Sequence, residues 1–261
     1  MNGLFRLKSF LSYFFTSKGI NNMHSPFVYE FMQQVLYDPR TFYAYTEIEN
    51  VRKELLQSHQ ALSFINYGAG SNSGLPVIKT ISSILRKSSS TPKKAQLLFR
   101  IAGYYKCIKI IELGTNMGIS AMYLASSGAN TKVVTIEGAK ELAEIARSNA
   151  TTLGMQNIEI LEDVFEDALP LALQKFGKTD LVYFDGNHRK EATLAYFYEV
   201  LPHLHEKSIL IFDDIYWSAE MKEAWLEIRT NPSVTITIDL FYFGLVFFRK
   251  ELSKQHFTLR W

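Results

Sequence analysis

Five acidic side chains follow apolar, β-branched stretches of the chain, at points where buried strands are expected to give way to loops. They are Glu112, Glu137, Asp185, Asp213 and Asp214. Because ligands of an open α/β sheet gather outside the carboxyl ends of its strands, acids at those ends are expected to share one crevice. Carboxylates placed there can accept hydrogen bonds from a ribose or an amine, hold a hard divalent cation or take up a proton.

The first of these acids lies in the segment IIELGTNMGIS, which looks at first like a nucleotide-binding turn. A dinucleotide-binding turn would need glycines at positions 114, 116 and 119, but the chain has Asn116 and Ile119. No Gly-Lys-Ser/Thr follows to make a phosphate-binding loop. The remaining pattern of Glu112, Gly114 and Gly118 lets the backbone approach a ligand closely, ahead of a helix that begins with free N–H groups. An acid at this strand end favours a cationic or amine-bearing ligand over a pyrophosphate.

The elements that position these residues follow from an alternation that begins near residue 108. Apolar runs predict strands at 108–113, 132–137, 157–161, 180–185 and 208–213. Helical periodicity predicts helices at 92–105, 118–127, 139–153, 165–175, 189–201 and 219–229. This alternation predicts an α/β fold with a parallel sheet covered by helices on both faces. The segment 234–250 is too short to include a crossover helix, so a hairpin with one antiparallel strand is expected there.

The first third of the chain lacks this alternation and is expected to be mostly helical. The polar segment RKSSSTPKK, residues 86–94, is the best candidate for a linker. We therefore predict a helical N-terminal extension over 1–90 and a ligand-binding domain over 91–261. The segment YGAGSNSG, residues 67–74, is interpreted as a turn that connects helices near the active site.

Four motifs, IIELGTNMGIS, VVTIEG, YFDGNH and IFDDI, together resemble the class I S-adenosylmethionine-dependent methyltransferases. Within that class the chain is most similar to the catechol and caffeoyl-coenzyme A O-methyltransferases and to the related sugar and antibiotic O-methyltransferases. The resemblance covers residues 93–250, about 60% of the chain. It implies a Rossmann-like, doubly wound, mostly parallel sheet of seven strands with one antiparallel strand.

The resemblance also implies a set of cofactor-binding residues. Glu112, Gly114 and Gly118, with Thr115 close by, would line the methionine part of S-adenosylmethionine. Glu137, which lies 25 residues after Glu112, would hold the two ribose hydroxyls. The adenine would be approached by Asp163 and Val164.

In the resembling family, an acid after the fourth strand and an acidic pair after the fifth bind a divalent cation. Here Asp185, Asp213 and Asp214 occupy those positions, and carboxylate ligands favour magnesium or manganese over zinc. Three converging carboxylates would repel one another, which a cation would relieve. The alternative is that the acidic pair only caps the next helix. The chain also departs from the catechol type, which has an amide in place of Asp214.

A proton acceptor is expected beside these acids. The catechol type has a lysine three residues after the first acidic ligand, and this chain has His188 at that position. An imidazole is a common general base because it titrates near neutral pH, so His188 and Asp185 are the predicted catalytic residues. A further metal ligand and a surface residue are the alternatives for His188.

Composition limits the classes of partner. The net charge is +2 and no long basic tract is present, so nucleic acid is not expected to bind. The single cysteine, Cys107, fits a reducing compartment and a packing role, and we expect a cytoplasmic protein. No apolar run is long enough to span a bilayer. Residues 1–20 predict an amphipathic helix that packs on the rest of the chain, with a membrane-surface helix as the alternative.

The favoured function is O-methylation of a small hydroxylated acceptor by S-adenosylmethionine, with Mg²⁺ or Mn²⁺ as a candidate assistant. An aminopropyltransferase is the second enzyme hypothesis, because polyamine synthases share the fold and also use acids at strand ends. A partner-binding protein that retains the fold without catalysis is the third. The acceptor and the oligomeric state cannot be read from the residues.

Overall fold

The computed structural model describes residues 2–67 and 75–261. Ten helices are assigned in the described chain: α1 Asn2–Thr16, α2 Pro26–Phe31, α3 Tyr43–Gln57, α4 Ile81–Ser88, α5 Pro92–Tyr104, α6 Ile119–Ala125, α7 Lys140–Thr152, α8 Phe165–Phe176, α9 Lys190–Val200 and α10 Ala219–Thr230. A π-helical turn, Met32–Leu36, continues α2. The strands of the described chain are β1 Ala61–Ile65, β2 Pro76–Thr80, β3 Lys109–Leu113, β4 Lys132–Ile136, β5 Ile158–Leu161, β6 Leu181–Phe184, β7 Ile209–Asp213, β8 Ile236–Asp239, β9 Phe243–Phe247 and β10 Gln255–Thr258.

Eight of these strands form one sheet in the order β10-β8-β9-β7-β6-β3-β4-β5. The chain winds outward from β3 in one direction through β4 and β5, and in the other through β6 and β7, as a doubly wound sheet does. Only β9 runs antiparallel to its neighbours β7 and β8 among the paired strands of this sheet. The central strands β6 and β7 are buried along their whole length because helices cover both faces.

The predicted α/β alternation is confirmed. All five predicted strands and all six predicted helices are present, and their ends differ from the predictions by two residues at most. The hairpin of β8 and β9, with β9 antiparallel, is also present. The number of strands differs: the sheet has eight, because β10 adds a parallel edge beside β8. That strand is short, polar and exposed, so its sequence QHFT carries little strand periodicity.

The N-terminal third differs from the predicted, mostly helical extension because it also contains two strands. The strands β1 and β2 form a separate antiparallel pair with Ala61 opposite Thr80. Most of the segment 67–74 lies outside the described residues, but it connects these two strands and not two helices. The expected boundary near residue 90 remains a prediction. Val28 and Phe31 on α2 belong to the same apolar core as Leu97 and Leu98 on α5.

The segment 86–94, predicted as a linker, is largely exposed, and its role as a boundary between two units stays a prediction. It includes the end of α4 and the start of α5, where the Thr91 hydroxyl accepts the backbone N–H of Lys94 (3.4 Å). Ser90 is buried, and its hydroxyl lies 3.3 Å from the Tyr183 hydroxyl on β6. Within this segment, Ser90 and Lys94 therefore contact the carboxyl end of the central sheet.

The helix α1 packs on the C-terminal part of the chain as predicted, but through a narrow polar side. Ser9 and Tyr13 are buried, and the Tyr13 hydroxyl donates to the Leu259 carbonyl (2.5 Å). The large apolar side chains Leu4, Leu7, Phe10, Leu11, Phe14 and Phe15 are exposed. Within the described chain, every helix is too short or too polar to cross a membrane.

Candidate active site

A cavity of about 470 Å³ opens at the carboxyl edge of the central sheet. One part of its wall follows β3, β4 and β5 and includes Gly114, Asn116, Glu137, Gly138 and Val164. Another part follows β6 and β7 and includes Asp185, Asn187, His188, Asp213, Asp214 and Trp217. The rest comes from the N-terminal third and α5, including Asn66, Tyr67, Ser90 and Lys94. Strand-end acids thus share one crevice, as the doubly wound topology predicts.

Three loops that form this cavity contain a left-handed residue other than glycine. They are Asn116 after β3 (φ 49°), Asn187 after β6 (φ 48°) and Asp214 after β7 (φ 50°). Asn and Asp tolerate this conformation best among the non-glycine residues. The repeated use of a costly conformation at three neighbouring strand ends indicates that these loops are shaped for a ligand.

Gly114 lies where the backbone after β3 touches the backbone after β6. Its φ is +103°, and a Cβ added there would lie 2.1 Å from the Asp185 carbonyl oxygen. Any side chain would therefore push the two loops apart. At Gly138, after β4, a Cβ would lie 2.8 Å from the Tyr67 ring. Both glycines are therefore required by close packing within the protein, of one loop on another at Gly114 and of the Tyr67 ring on the backbone at Gly138.

Glu137 reaches the cavity in a fixed orientation. Its Oε2 accepts the backbone N–H of Asn116 (2.8 Å), and its Oε1 accepts that of Ala139 (3.0 Å). Burial raises the pKa of this carboxyl, whereas the two backbone N–H groups lower it. Each carboxylate oxygen has a second lone pair, so both can still accept a hydroxyl from a ligand.

Glu112 does not line the cavity, and its predicted contact with the ligand stays a prediction. It is fully buried, because its side chain points to the same face of the sheet as Ile110 and lies beneath α6. The Thr135 hydroxyl donates to Glu112 Oε2 (2.6 Å), and Thr115 lies 2.6 Å from Thr135 Oγ1. Burial raises the pKa of Glu112 to about 7 despite these hydroxyls. Glu112 therefore supports the loop after β3 from below.

The remaining predicted cofactor residues also include some that line the cavity and some that do not. Val164 lines the cavity, but Thr115, Gly118 and Asp163 do not. Thr115 is buried, and Gly118 begins α6 with a left-handed backbone (φ +83°) against Ala146. Asp163 is exposed, and its Oδ1 accepts the N–H of Val164 (2.8 Å). These residues shape the loops around the cavity, whereas direct ligand contact by them remains a prediction.

The three acids after β6 and β7 converge, but a lysine lies among them. Lys94 Nζ is 2.6 Å from Asp213 Oδ1 and 2.7 Å from Asp213 Oδ2. The same nitrogen is 3.9 Å from Asp214 Oδ1. The Tyr183 hydroxyl lies 3.0 Å from Asp185 Oδ2 and 3.1 Å from Asp213 Oδ2, and so joins those two acids. Asp185, Tyr183, Asp213 and Lys94 therefore form a hydrogen-bonded chain, and the Asp214 carboxyl lies beside its ammonium group.

The charges in this cluster shift one another. Burial lowers the pKa of Lys94, but the negative charges of Asp213, Asp214 and Asp185 together raise it above its ordinary value. The Lys94 ammonium is therefore charged at neutral pH. Burial, followed by the charge of Asp213, raises the pKa of Asp185 well above its usual range and raises that of Asp214.

The predicted metal ligands do not fit a divalent cation in this arrangement. Within residues 2–67 and 75–261, no three His, Cys, Asp or Glu side chains are placed to hold a metal ion. Both oxygens of Asp213 face the Lys94 ammonium, so a positive charge already stands where a cation would bind that carboxylate. The alternative of helix capping is also unsupported, since the Ser218 hydroxyl caps α10 by accepting the Met221 N–H (3.1 Å).

His188 lines the cavity beside these acids. Its Nε2 lies 3.9 Å from Asp185 Oδ1, which is beyond a hydrogen bond. The imidazole ring is 6.0 Å from the ring of Trp217, which also lines the cavity. His188 is therefore partly exposed to the cavity and close enough to an acid to be oriented by it after a small movement.

Several residues of the cavity were missed by sequence reasoning. Lys94 belongs to the segment interpreted as a linker, and Tyr67 follows a strand that was not predicted. Trp217 lines the cavity after a predicted strand, and Tyr183 lies buried in one and contacts Asp185 and Asp213. One aromatic residue in or after an apolar run gives no sign of such contacts. The polar segment 86–94, which lies directly before a buried helix, was the one sign in the sequence that could have indicated Lys94.

Comparisons with known proteins agree with this architecture. Residues 111–215 match the family described as a methyltransferase domain. No match is found among curated proteins. The O-methyltransferase of Bacillus cereus in complex with SAH has 18% identity and a TM-score of 0.58, over 84% of this chain and 96% of that chain.

Two further solved structures show the same likeness. An SAH-bound methyltransferase of Podospora anserina has 13% identity and a TM-score of 0.60, over 87% of this chain and 97% of that one. The O-methyltransferase TomG of Streptomyces achromogenes, in complex with SAM, has 17% identity and a TM-score of 0.55, over 85% and 95%. Identities this low show a common fold and leave the chemistry to the residues of the cavity.

Proposed function

We infer that this chain, which carries a methyltransferase domain of the class I fold over residues 111–215, transfers a methyl group from S-adenosylmethionine to a hydroxyl of a small acceptor. The observation that carries this proposal is the shared cavity. Its wall includes Glu137 and the glycine-shaped loop after β3 on one side, and His188 with Asp185 on the other.

The first side suits the methyl donor. S-adenosylmethionine supplies a methyl group activated by a sulfonium. Glu137 would accept the ribose hydroxyls, and Val164 would lie against the adenine. Gly114, which lines the cavity, would lie beside the methionine part. Thr115, Gly118, Glu112 and Asp163 would hold these loops in place, as their buried or capping contacts suggest.

The second side suits the acceptor. In the reaction the acceptor oxygen forms a bond to the methyl carbon as the carbon–sulfur bond breaks, and the hydroxyl proton must pass to a base. His188 would take that proton, and Asp185 would orient the imidazole. In-line alignment of acceptor and donor can lower the activation free energy by about 7–11 kcal/mol at most.

Assistance by Mg²⁺ or Mn²⁺ was the expectation for Asp185, Asp213 and Asp214. The position of Lys94 argues against it, so no step of the proposed reaction depends on a metal. The aminopropyltransferase hypothesis would need the free carboxylates to bind a polyamine. The pairing of Asp213 with Lys94 counts against that hypothesis too.

Calorimetry with SAH tests the proposal first, and transfer of a labelled methyl group to a panel of small phenols and sugars tests it second. Micromolar binding of SAH and label in an oxygen-linked product would support it. Label on an amine, or aminopropyl transfer from the decarboxylated donor, would replace it with another enzyme. Absence of SAH binding would favour the partner-binding protein that retains the fold.

A further inference from the structure

The contact between Lys94 and Asp213 occupies the centre of the acidic cluster. Lys94 is the third residue of α5, and its side chain reaches the cavity from the N-terminal turn of that helix. Its ammonium lies within 2.7 Å of both Asp213 oxygens. Asp214 Oδ1, at 3.9 Å, faces the same nitrogen.

We propose that the Lys94 ammonium takes the position of the divalent cation, so that this site works without metal. The absence of a metal site follows from the contacts of Lys94 alone. The role of this site in methyl transfer rests on the proposed function. In chemical terms, a covalently attached cation neutralises the carboxylates after β6 and β7. It leaves the acceptor hydroxyl to be bound by cavity side chains and deprotonated by His188.

A lysine and a divalent cation cannot share this place. Mg²⁺ binds oxygens at about 2.0–2.1 Å with near-octahedral geometry and keeps several waters. An ammonium hydrogen-bonded to both oxygens of Asp213 would stand next to that ion, and two like charges so close repel strongly at low dielectric. The Tyr183 hydroxyl lies within hydrogen-bond distance of Asp213 Oδ2 and of Asp185 Oδ2, so it too occupies oxygens that a metal would need.

The adjacent residue provides a matched control. Lys93 precedes Lys94 on the same helix turn, but its Nζ lies 4.6 Å from the centre of the Trp261 ring and does not line the cavity. A change of Lys93 therefore removes the same charge from α5 without touching the cluster.

Mn²⁺ titration followed by electron paramagnetic resonance tests the proposal without using activity. The unmodified protein should show no stoichiometric Mn²⁺ site. Lys94→Met should gain one site, whereas Lys93→Met and the charge-conserving Lys94→Arg should gain none. Addition of Asp213→Asn to Lys94→Met should remove the gained site.

Two results would overturn the proposal. One is a stoichiometric Mn²⁺ site in the unmodified protein that Asp213→Asn abolishes. The other is a folded Lys94→Met variant that binds no Mn²⁺. SAH binding, measured on the same samples, reports folding and tests the proposed function separately. If Lys94→Met fails to fold, the titration of the unmodified protein with and without Asp213→Asn decides alone.

A second observation, independent of the cavity, concerns the exposed side of α1. Phe15 is 80% exposed and Leu4 is 64% exposed, and Leu7, Leu11 and Phe14 continue the same apolar face. Ser9 and Tyr13 are buried on the opposite face of the helix. The helix therefore turns its apolar side away from the protein.

The charges around this face favour one occupant. Arg6, Lys8 and Lys18 lie in or beside α1, and no acid occurs before Glu30. Arg260 adds a positive charge 5.0 Å from the Phe14 ring. An apolar face flanked by basic residues is the arrangement of a helix that lies in an anionic lipid surface. A second copy of α1 would bring like charges together, which disfavours pairing between copies.

We propose that α1 docks on an anionic lipid surface with Leu7, Leu11 and Phe15 inserted. The position of the helix connects this docking to the cavity. The Arg6 guanidinium lies 5.0 Å from the centre of the Trp217 ring, and Trp217 lines the cavity. A docked helix would therefore hold the acceptor side of the cavity close to the lipid surface.

Co-sedimentation with phosphatidylglycerol vesicles and with phosphatidylcholine vesicles tests this proposal. Binding to the anionic vesicles should fall with added salt and should be lost in Leu7→Ser/Leu11→Ser. Leu171→Ser, which changes an exposed leucine on α8, should bind as the unmodified protein does. No binding to anionic vesicles would overturn the proposal. A dimer in light scattering that Leu7→Ser/Leu11→Ser dissociates would assign the face to a second copy instead.

Discussion

The Glu137 carboxylate accepts the backbone N–H of Asn116 at 2.8 Å, and so fixes the loop after β3 to the end of β4. The two residues face each other across neighbouring parallel strands, with Leu113 opposite Ile136 at the end of the ladder. The contact orders the carboxylate before a ligand arrives, which lowers the entropic cost of binding.

Removal of the Glu137 carboxylate should weaken the donor site. In Glu137→Ala we expect SAH to bind about 10- to 100-fold more weakly, because charged hydrogen bonds are worth roughly 1.5–3 kcal/mol each. Calorimetry measures the change. Glu144→Gln on α7, an exposed acid, should bind SAH as the unmodified protein does. Equal affinities for all three proteins would refute the assignment of Glu137.

A methyl group at Gly114 should separate the loops after β3 and β6. Gly114→Ala places a Cβ 2.1 Å from the Asp185 carbonyl oxygen at a φ of +103°. We expect destabilisation by about 2–4 kcal/mol, from backbone strain and overpacking together. Gly154→Ala is the control, since its φ is +65° but nothing lies within 4 Å of the added atom. Urea unfolding should show a clearly larger loss for Gly114→Ala than for Gly154→Ala.

Glu112 should make stability depend on pH. Its pKa is about 7 in the fold against an ordinary 4.5, so between these values the folded chain holds a proton that the unfolded chain has released. Stability therefore falls as pH rises through this window, by about 3 kcal/mol at most. In Glu112→Gln this loss should disappear. Unfolding free energies at pH 5 and pH 8 measure the difference, and parallel pH profiles for the two proteins would contradict it.

His188 should affect turnover and leave donor binding unchanged. In His188→Ala we expect the methyl transfer rate to fall about 100-fold or more, which is the usual effect of losing a general base. The affinity for SAH should not change. His203→Ala, at the other end of the sheet in the turn before β7, should leave both unaffected. A His188→Ala variant with full turnover would move the base to another residue.

The sequence sufficed for the sheet but not for which face a side chain occupies. Periodicity located β3, β4, β6 and β7 and therefore the acids at their carboxyl ends. Glu112 and Glu137 look equivalent in such a pattern. They differ in their position relative to the strand end, however: Glu112 lies within β3 opposite Thr135, whereas Glu137 lies one residue beyond β4. Glu112 is therefore in the core and Glu137 at the cavity.

Contacts between residues far apart in the sequence could not be predicted, because local patterns do not identify the partner. Lys94 meets Asp213 across 119 residues of sequence, and its side chain carries no local sign of that partner. The pair β1 and β2 was missed because exposed strands lack the alternation that burial imposes. Tyr67, beyond β1, was missed with it.

The walls of the cavity have separate origins along the chain. Residues after β3, β4 and β5 form the side proposed for the methyl donor, whereas Tyr67, Ser90 and Lys94 line the cavity from the N-terminal third and α5. Because a Cβ at Gly138 would meet the Tyr67 ring, the N-terminal third closes the pocket next to Glu137. Replacement of that segment should therefore alter the affinity for the methyl donor as well as the choice of acceptor.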